Sequence, residues 1–375
     1  FFLLSFQMEF LDLKTQQKRI RKPLEKRINN ILDHGAYIMG PEVFELEEKL
    51  ADYCGVKHAI SCSSGTDALL MPLMAWGIGP GDAVFTTPFT YVATAEVISI
   101  LGATPVFVDV YESTFNIDCE KLEIEINKVI DEGKLKPKAI IPVDLFGLPA
   151  RYRLIDKIAK KYNLKVIEDA AQSFGGSIRD KKVGTFGDIA ATSFYPAKPL
   201  GCYGDGGAIF TNDDSLAEEC KAIRIHGTKA DRYNSESIGL NGRFDSIQAA
   251  VVLEKLTIFD QELERRNIID ASYREYLNNA QYHPEGYQSA HALFSITMGS
   301  KNKRDELIKK FTSKNIPTVI YYKLPIHMMK AFDYLGYEDS DLPISKKLSQ
   351  TIVSLPMHPY LGKNDIHKII ETIKK

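Results

Sequence analysis

Between His58 and Thr211 seven apolar runs of strand length recur, at 58–62, 83–86, 104–109, 138–143, 165–169, 189–194 and 208–211, and most are separated by segments long enough for helices. Strands that carry few polar residues along their length are buried on both faces. Such strands, alternating with helices, indicate an α/β architecture: a mostly parallel seven-stranded sheet sandwiched by helices. In sheets of this kind ligands gather at the carboxyl ends of the strands. The residues that close these runs are therefore the first candidates for function.

Asp169 closes the fifth run, in Glu168-Asp169-Ala170-Ala171-Gln172, and Lys198 follows the sixth, in Ser193-Phe194-Tyr195-Pro196-Ala197-Lys198. A turn containing Gly201, Gly204, Gly206 and Gly207 comes next. A lysine and a strand-end aspartate on one sheet are what pyridoxal phosphate (PLP) requires: the amine forms a Schiff base with the aldehyde, and the carboxylate keeps the pyridine nitrogen protonated. Read singly, the lysine is a solvated surface charge, and the aspartate reads also as an N-cap. Ser63-Ser64-Gly65-Thr66-Asp67 follows the first run and opens a helical segment. Its small residues would admit a phosphate to a helix N-terminus, although Ser64 with Asp67 also reads as a capping box. Tyr91, in Pro88-Phe89-Thr90-Tyr91-Val92-Ala93-Thr94, either stacks on a flat ring or packs in the core. Neither a Walker loop nor a Gly-x-Gly-x-x-Gly fingerprint is present, which argues against nucleotide-phosphate and dinucleotide sites. His327 and His358 lie in proline-rich turns without metal-ligand spacing, so no metal is expected.

The chain has 375 residues, 44% of them apolar and 26% charged, enough for a large core. A net charge of −2 without a dominant basic block argues against a nucleic-acid partner. Five scattered cysteines with no Cys-x-x-Cys pair argue against a disulfide framework or a zinc site, and for a reducing, cytoplasmic setting. The opening stretch 1–7 is apolar but too short to span a bilayer, and it lacks the marks of a signal peptide. It reads as an upstream extension or cloning remnant ahead of Met8. Residues 8–40 read as an arm with a helix near 23–33. The segment 42–53 reads as a helix with Val43, Leu46, Leu50 and Tyr53 on one face. Beyond residue 212, helices are expected over 244–254 and 261–279, the second a long connector. A smaller α+β unit follows, with strands at 293–298, near 317–321 and at 352–355, and helices at 305–313, 345–351 and 364–374. The division is then 1–7 extension, 8–260 arm and large cofactor-binding domain, and 261–375 connector helix and small C-terminal domain.

These motifs, in this order and with Gly79-Pro80-Gly81-Asp82, Gly204-Asp205-Gly206-Gly207, His226-Gly227 and Asn241-Gly242-Arg243, resemble the DegT/DnrJ/EryC1/StrS family of nucleotide-sugar aminotransferases, a branch of the fold-type I PLP enzymes. The resemblance implies that Lys198 carries the cofactor and Asp169 pairs with its pyridine nitrogen. It implies that Gln172 meets the ring's phenolic oxygen, that Gly65, Thr66 and Ser193 hold the phosphate, and that Tyr91 stacks on the ring. It places Asn241 at the phosphate of a neighbouring subunit, which implies a homodimer with shared sites, and it places Tyr322, His327 and Arg243 near the sugar nucleotide. L-Glutamate is the implied amino donor. The chain is most similar to the branch acting on C3 of UDP-2-acetamido-3-keto sugars in surface-glycan or lipid A synthesis. That likeness rests on Asp12-Leu13-Lys14-Thr15-Gln16-Gln17, the stretch 201–214, and Ser354-Leu355-Pro356-Met357-His358-Pro359-Tyr360. Val143-Asp144-Leu145-Phe146-Gly147 and Tyr321-Tyr322-Lys323-Leu324-Pro325 depart from the uronic-acid branch and leave a C6 carboxylate open. C4 amination of a UDP- or dTDP-4-keto-6-deoxy sugar is the alternative. A PLP lyase or dehydratase, or a non-catalytic relative, stands further off, because Lys198 and the rest of the cofactor set are present.

Overall fold

All seven apolar runs become strands of one sheet. The computed structural model describes residues 8–231, 233–338 and 340–374, so the extension read at 1–7 lies outside the described residues. In chain order the first half comprises α1 (Leu13–His34), α2 (Pro41–Cys54), β1 (His58–Cys62), α3 (Gly65–Ala75), β2 (Asp82–Thr86), α4 (Ala93–Ile100), β3 (Thr104–Phe107), α5 (Cys119–Glu132), β4 (Lys136–Ile141), α6 (Tyr152–Tyr162) and β5 (Lys165–Asp169). Then come β6 (Ser177–Ile178), β7 (Lys181–Lys182), β8 (Ile189–Ser193), β9 (Gly207–Thr211), α7 (Asp214–Ile223) and α8 (Ser246–Arg274). The last part comprises β10 (Tyr287–Gln288), β11 (Phe294–Thr297), α9 (Lys301–Ser313), α10 (Pro343–Thr351), β12 (Ile352–Leu355) and α11 (Lys363–Lys374).

The large sheet runs β1-β9-β8-β5-β4-β2-β3. Only β9 is antiparallel to its neighbours. Val43, Leu46 and Leu50 of α2 are fully buried with Ala249, Val252 and Phe259 of α8 in one core. On another face Ile60, Ile167 and Ile209 of the strands pack with Leu69, Leu73 and Ala217 of α3 and α7. The smaller unit pairs β11 with β12 under α9 and α11.

Three expectations are corrected. The first helix starts at Leu13 rather than near residue 23, because the Asp12 carboxylate accepts the Thr15 N–H at 2.9 Å and caps it. Pro23 sits on the exposed face, where water can serve the carbonyl that proline leaves without a donor. The two helices read over 244–279 are one, α8, of 29 residues. No glycine or proline interrupts it, and its buried face is continuous through Phe259 and Glu262. The boundary placed after residue 260 therefore falls inside this helix, whose Ile269 and Tyr273 join the small unit's core. No strand forms at 317–321; Val319 makes only an isolated bridge to Ser354, since Pro317 lacks a ladder donor.

Candidate active site

The sheet's carboxyl ends open onto a cavity of about 430 Å³. Of the residues singled out above, Gly65, Thr66, Tyr91, Asp169, Gln172, Ser193, Lys198 and Tyr322 line it. The local chain explains why they converge. Strand β8 ends at Ser193, and the chain folds into a tight turn in which the Lys198 N–H donates to the Tyr195 carbonyl at 2.9 Å. It returns through Cys202 N–H to Phe194 O and Phe194 N–H to Gly206 O, both 2.7 Å, into β9. A Cβ at Gly201 would lie 2.5 Å from the Tyr195 carbonyl oxygen, so the turn that presents Lys198 closes only over glycine.

Asp169 is buried at the end of β5. Its Oδ2 accepts from the Thr94 hydroxyl at 2.8 Å and its Oδ1 from the Ala171 N–H at 3.2 Å. Burial pushes its pKa up, while Thr94, Ala171 and the charge of Lys198 pull it back. Burial also pushes the Lys198 amine down, offset in part by Asp169. Lys198 makes no side-chain hydrogen bond or ion pair among the described residues. It is a desolvated amine without a side-chain partner among the described residues, near a buried carboxylate held by Thr94 and Ala171.

At the same carboxyl edge, beyond β1, Ser64 caps α3, its hydroxyl accepting the Asp67 N–H at 3.0 Å. The capping reading is thus correct for Ser64, and it leaves the amides of Gly65 and Thr66 at an open helix N-terminus. A Cβ at Gly65 would lie 2.6 Å from the Cβ of Ser193, so α3 meets β8 here without room for a side chain. The Gln172 carbonyl accepts the Phe146 N–H at 2.8 Å, which turns its amide nitrogen toward the Tyr322 hydroxyl at 3.0 Å. Tyr91 is 59% exposed on the cavity wall, which favours stacking over core packing.

Three expected residues stand off the cavity wall. His327 is buried with its ring edge-on to Tyr337. Asn241 is exposed and accepts from Arg243 Nε at 3.0 Å. The loop of Asn241 and Arg243 nonetheless borders the N-terminus of α3, because the Gly242 carbonyl accepts the Ser63 N–H at 3.0 Å. Sequence reasoning missed Thr94 as the partner of Asp169, and Leu11, Tyr195, Asp205, Leu293 and Tyr321 as lining residues. Thr94 lies in a segment that was singled out, but no local pattern names a hydrogen bond across the sheet.

The DegT/DnrJ/EryC1/StrS aminotransferase family model matches residues 18–374. The chain belongs to this family. It is 44% identical over 367 residues to the UDP-2-acetamido-2-deoxy-3-oxo-D-glucuronate aminotransferase of Pseudomonas aeruginosa, covering 97% of this chain and 98% of the relative. Among solved structures, a DegT DnrJ EryC1 StrS aminotransferase from Brucella abortus superposes with a TM-score of 0.94 at 48% identity, covering 98% of both chains. S. venezuelae DesV, in complex with a ketimine intermediate, gives 0.92 at 33%, again with 98% of both covered. The chain is a PLP-dependent sugar aminotransferase of fold-type I. The cavity fits that cofactor: it offers an amine with no side-chain partner among the described residues, a buried carboxylate and, at the start of α3, the free backbone amides of Gly65 and Thr66 beside the Ser193 hydroxyl. No helix among the described residues is long and apolar enough to cross a membrane.

Proposed function

We propose that the enzyme moves the amino group of L-glutamate to the C3 keto group of a UDP-2-acetamido-3-keto-hexose or its uronic acid, releasing 2-oxoglutarate. The observation that carries the reading is the desolvated, unpartnered Lys198 facing Asp169 in one cavity. The near full-length likeness to the P. aeruginosa 3-oxo-glucuronate enzyme favours C3 over the C4 alternative.

Pyridoxal phosphate, when bound, supplies an aldehyde for the migrating amine and an electron-accepting ring. Lys198 holds it through Nζ. With its Nζ free, Lys198 would be a neutral amine able to take a proton from the substrate carbon and return one. Asp169 holds the proton on the ring nitrogen by a charge-assisted hydrogen bond. Gln172, its carbonyl committed to Phe146, can only donate toward the ring oxygen. The Ser193 hydroxyl accepts the Tyr195 N–H at 3.2 Å and keeps its own proton for the phosphate, beside the amides of Gly65 and Thr66. Tyr91 covers the ring, and Tyr322 meets the sugar.

The working form is a homodimer in which Asn241 and Arg243 of one protomer complete the other's site, with His327 supporting the wall from behind. The exposure of Leu32, Tyr37, Ile38 and Phe44 around α1 and α2 supports this, as an apolar surface of the kind a second copy covers. The five cysteines, all free and buried, suit a cytoplasmic enzyme feeding surface-glycan or lipopolysaccharide synthesis.

The test is an absorbance titration of the holoenzyme. L-Glutamate should bleach the long-wavelength cofactor band, and one member of a panel of UDP- and dTDP-linked 3-keto and 4-keto sugars should restore it. A band that glutamate never moves overturns the donor. Recovery only with a 4-keto-6-deoxy sugar overturns C3.

A further inference from the structure

The cavity wall has two sources. The residues assigned to the cofactor all come from loops at the carboxyl ends of the large sheet. The rest of the wall includes Leu293, Tyr321 and Tyr322, and one residue from the other end of the chain, Leu11. Leu11 is half-buried in a segment pinned on both sides. Ahead of it, Met8 packs against the small unit's core and the Glu9 carbonyl lies 3.2 Å from His358 Nε2, which must be the donor. Behind it, Asp12 accepts from the Thr15 N–H and hydroxyl at 2.9 and 2.6 Å, and Gln16 donates to Glu262 at 2.7 Å. The arm thus joins the small unit to α8, and its one residue on the cavity is held at both shoulders.

We propose that Leu11 is a specificity-determining contact for the nucleotide-sugar acceptor. Its side chain is the apolar wall on which a C–H face of the hexose rests. A branched aliphatic group offers dispersion and excludes water without a hydrogen bond of its own, so polar groups elsewhere set the hydroxyl pattern. A small amino-acid donor, reacting at Lys198, depends on this wall far less. This inference rests on the aminotransferase reading with a nucleotide-sugar acceptor.

Two measurements on the holoenzyme test it. Leu11→Ala should raise the ratio of acceptor KM to donor KM about tenfold, the scale of a lost aliphatic contact in a substrate pocket. For a readout other than turnover, Leu11→Cys introduces a thiol into a chain whose five native cysteines are all buried. A maleimide should label this variant rapidly and leave the wild type unlabelled. UDP-N-acetylglucosamine or its uronate, which lack the keto group and cannot react, should protect the new thiol, and L-glutamate should not. Labelling that neither nucleotide sugar slows, a thiol that resists labelling without ligand, or an unchanged KM ratio each overturns the role of Leu11. A wild-type cofactor band that no amino donor shifts fails the aminotransferase reading itself, and this inference with it.

Discussion

Lys198 and Asp169 are opposite charges in a place where charge is expensive. Burial lowers the amine's pKa and raises the carboxyl's, so the pair leans toward its neutral forms until a ligand arrives. Because Lys198 is held below its unfolded pKa, its burial does not stabilise the charged form of the fold. Lys198→Ala should therefore retain the fold, with an unchanged far-ultraviolet spectrum and no loss of Tm in the cofactor-free protein, while turnover falls about 10³-fold or more. Thr94, with the Ala171 amide and the Lys198 charge, offsets the burial that raises Asp169's pKa. Thr94→Val removes a donor to the carboxylate while keeping the side chain's shape, so Asp169 should protonate at higher pH. A hydrogen bond to a charged group contributes about 1.5–3 kcal/mol, so PLP affinity should fall at least about tenfold. An equilibrium titration with PLP would measure that loss, and the acid limb of cofactor retention should move to higher pH. Lys198 and Asp169 were legible in the sequence, because a strand end and the turn after a strand are local features. Thr94 was not, because its partner lies across the sheet.

Elements decide how closely the site can close. Helix α3 begins against β8 with Gly65 pressed on Ser193, and β9 runs under the same corner, where a Cβ at Gly207 would lie 2.4 Å from the Ser64 carbonyl oxygen. Gly65→Ala should push the first turn of α3 off Ser193, at a cost of about 1–3 kcal/mol in overpacking. Affinity for PLP should drop, while affinity for pyridoxal, which lacks the phosphate, should change little; equal losses for both would mean that the corner does not hold the phosphate. The seven strands were readable because burial on both faces leaves an uninterrupted apolar run. The start of α1 was not readable at Asp12, because Pro23 is a helix breaker on average and a tolerated residue only on a water-facing side. The continuity of α8 was equally hidden. Its buried face changes from the large core to the small one along its length, so no single stripe marks it.

Across the whole molecule, α8 carries the load between the two cores. Buried Arg266 donates to the His291 and Met357 carbonyls, both at 2.9 Å, and ties the helix to the small unit. One turn on, Asp270, His283 and His291 bring three possible ligand atoms within 4.8 Å of one another, which sequence spacing did not suggest. Arg274 occupies this cluster, its Nε 2.7 Å from Asp270 Oδ2 and its Nη2 3.0 Å from His283 Nε2, so a guanidinium supplies the positive charge there. Burial alone would raise the pKa of Asp270, but His291 and Arg274 outweigh it and hold it at about 2. An unfolded aspartate titrates at about 3.9, so the folded group is the stronger acid. Its contribution, about 2–3 kcal/mol, is present above pH ~4 and is lost as pH falls toward 2. Urea unfolding at pH 5 and at pH 2.5 should show wild type losing more stability than Asp270→Asn over that interval. An equal loss in both proteins would assign acid sensitivity elsewhere.

Periodicity and order along the chain determined the seven-stranded sheet, Asp169 at a strand end, Lys198 in the turn after a strand, and the family these belong to. Each depends on residues that are near one another in sequence, where burial and turn chemistry leave a local mark. Only the tertiary structure decided that Leu11 returns to the cavity, that Thr94 steadies Asp169, that His327 is buried away from the cavity lining, and that Asn241 is exposed. Those placements come from packing between segments far apart in the chain, and the energy that selects them exists only once the cores have formed.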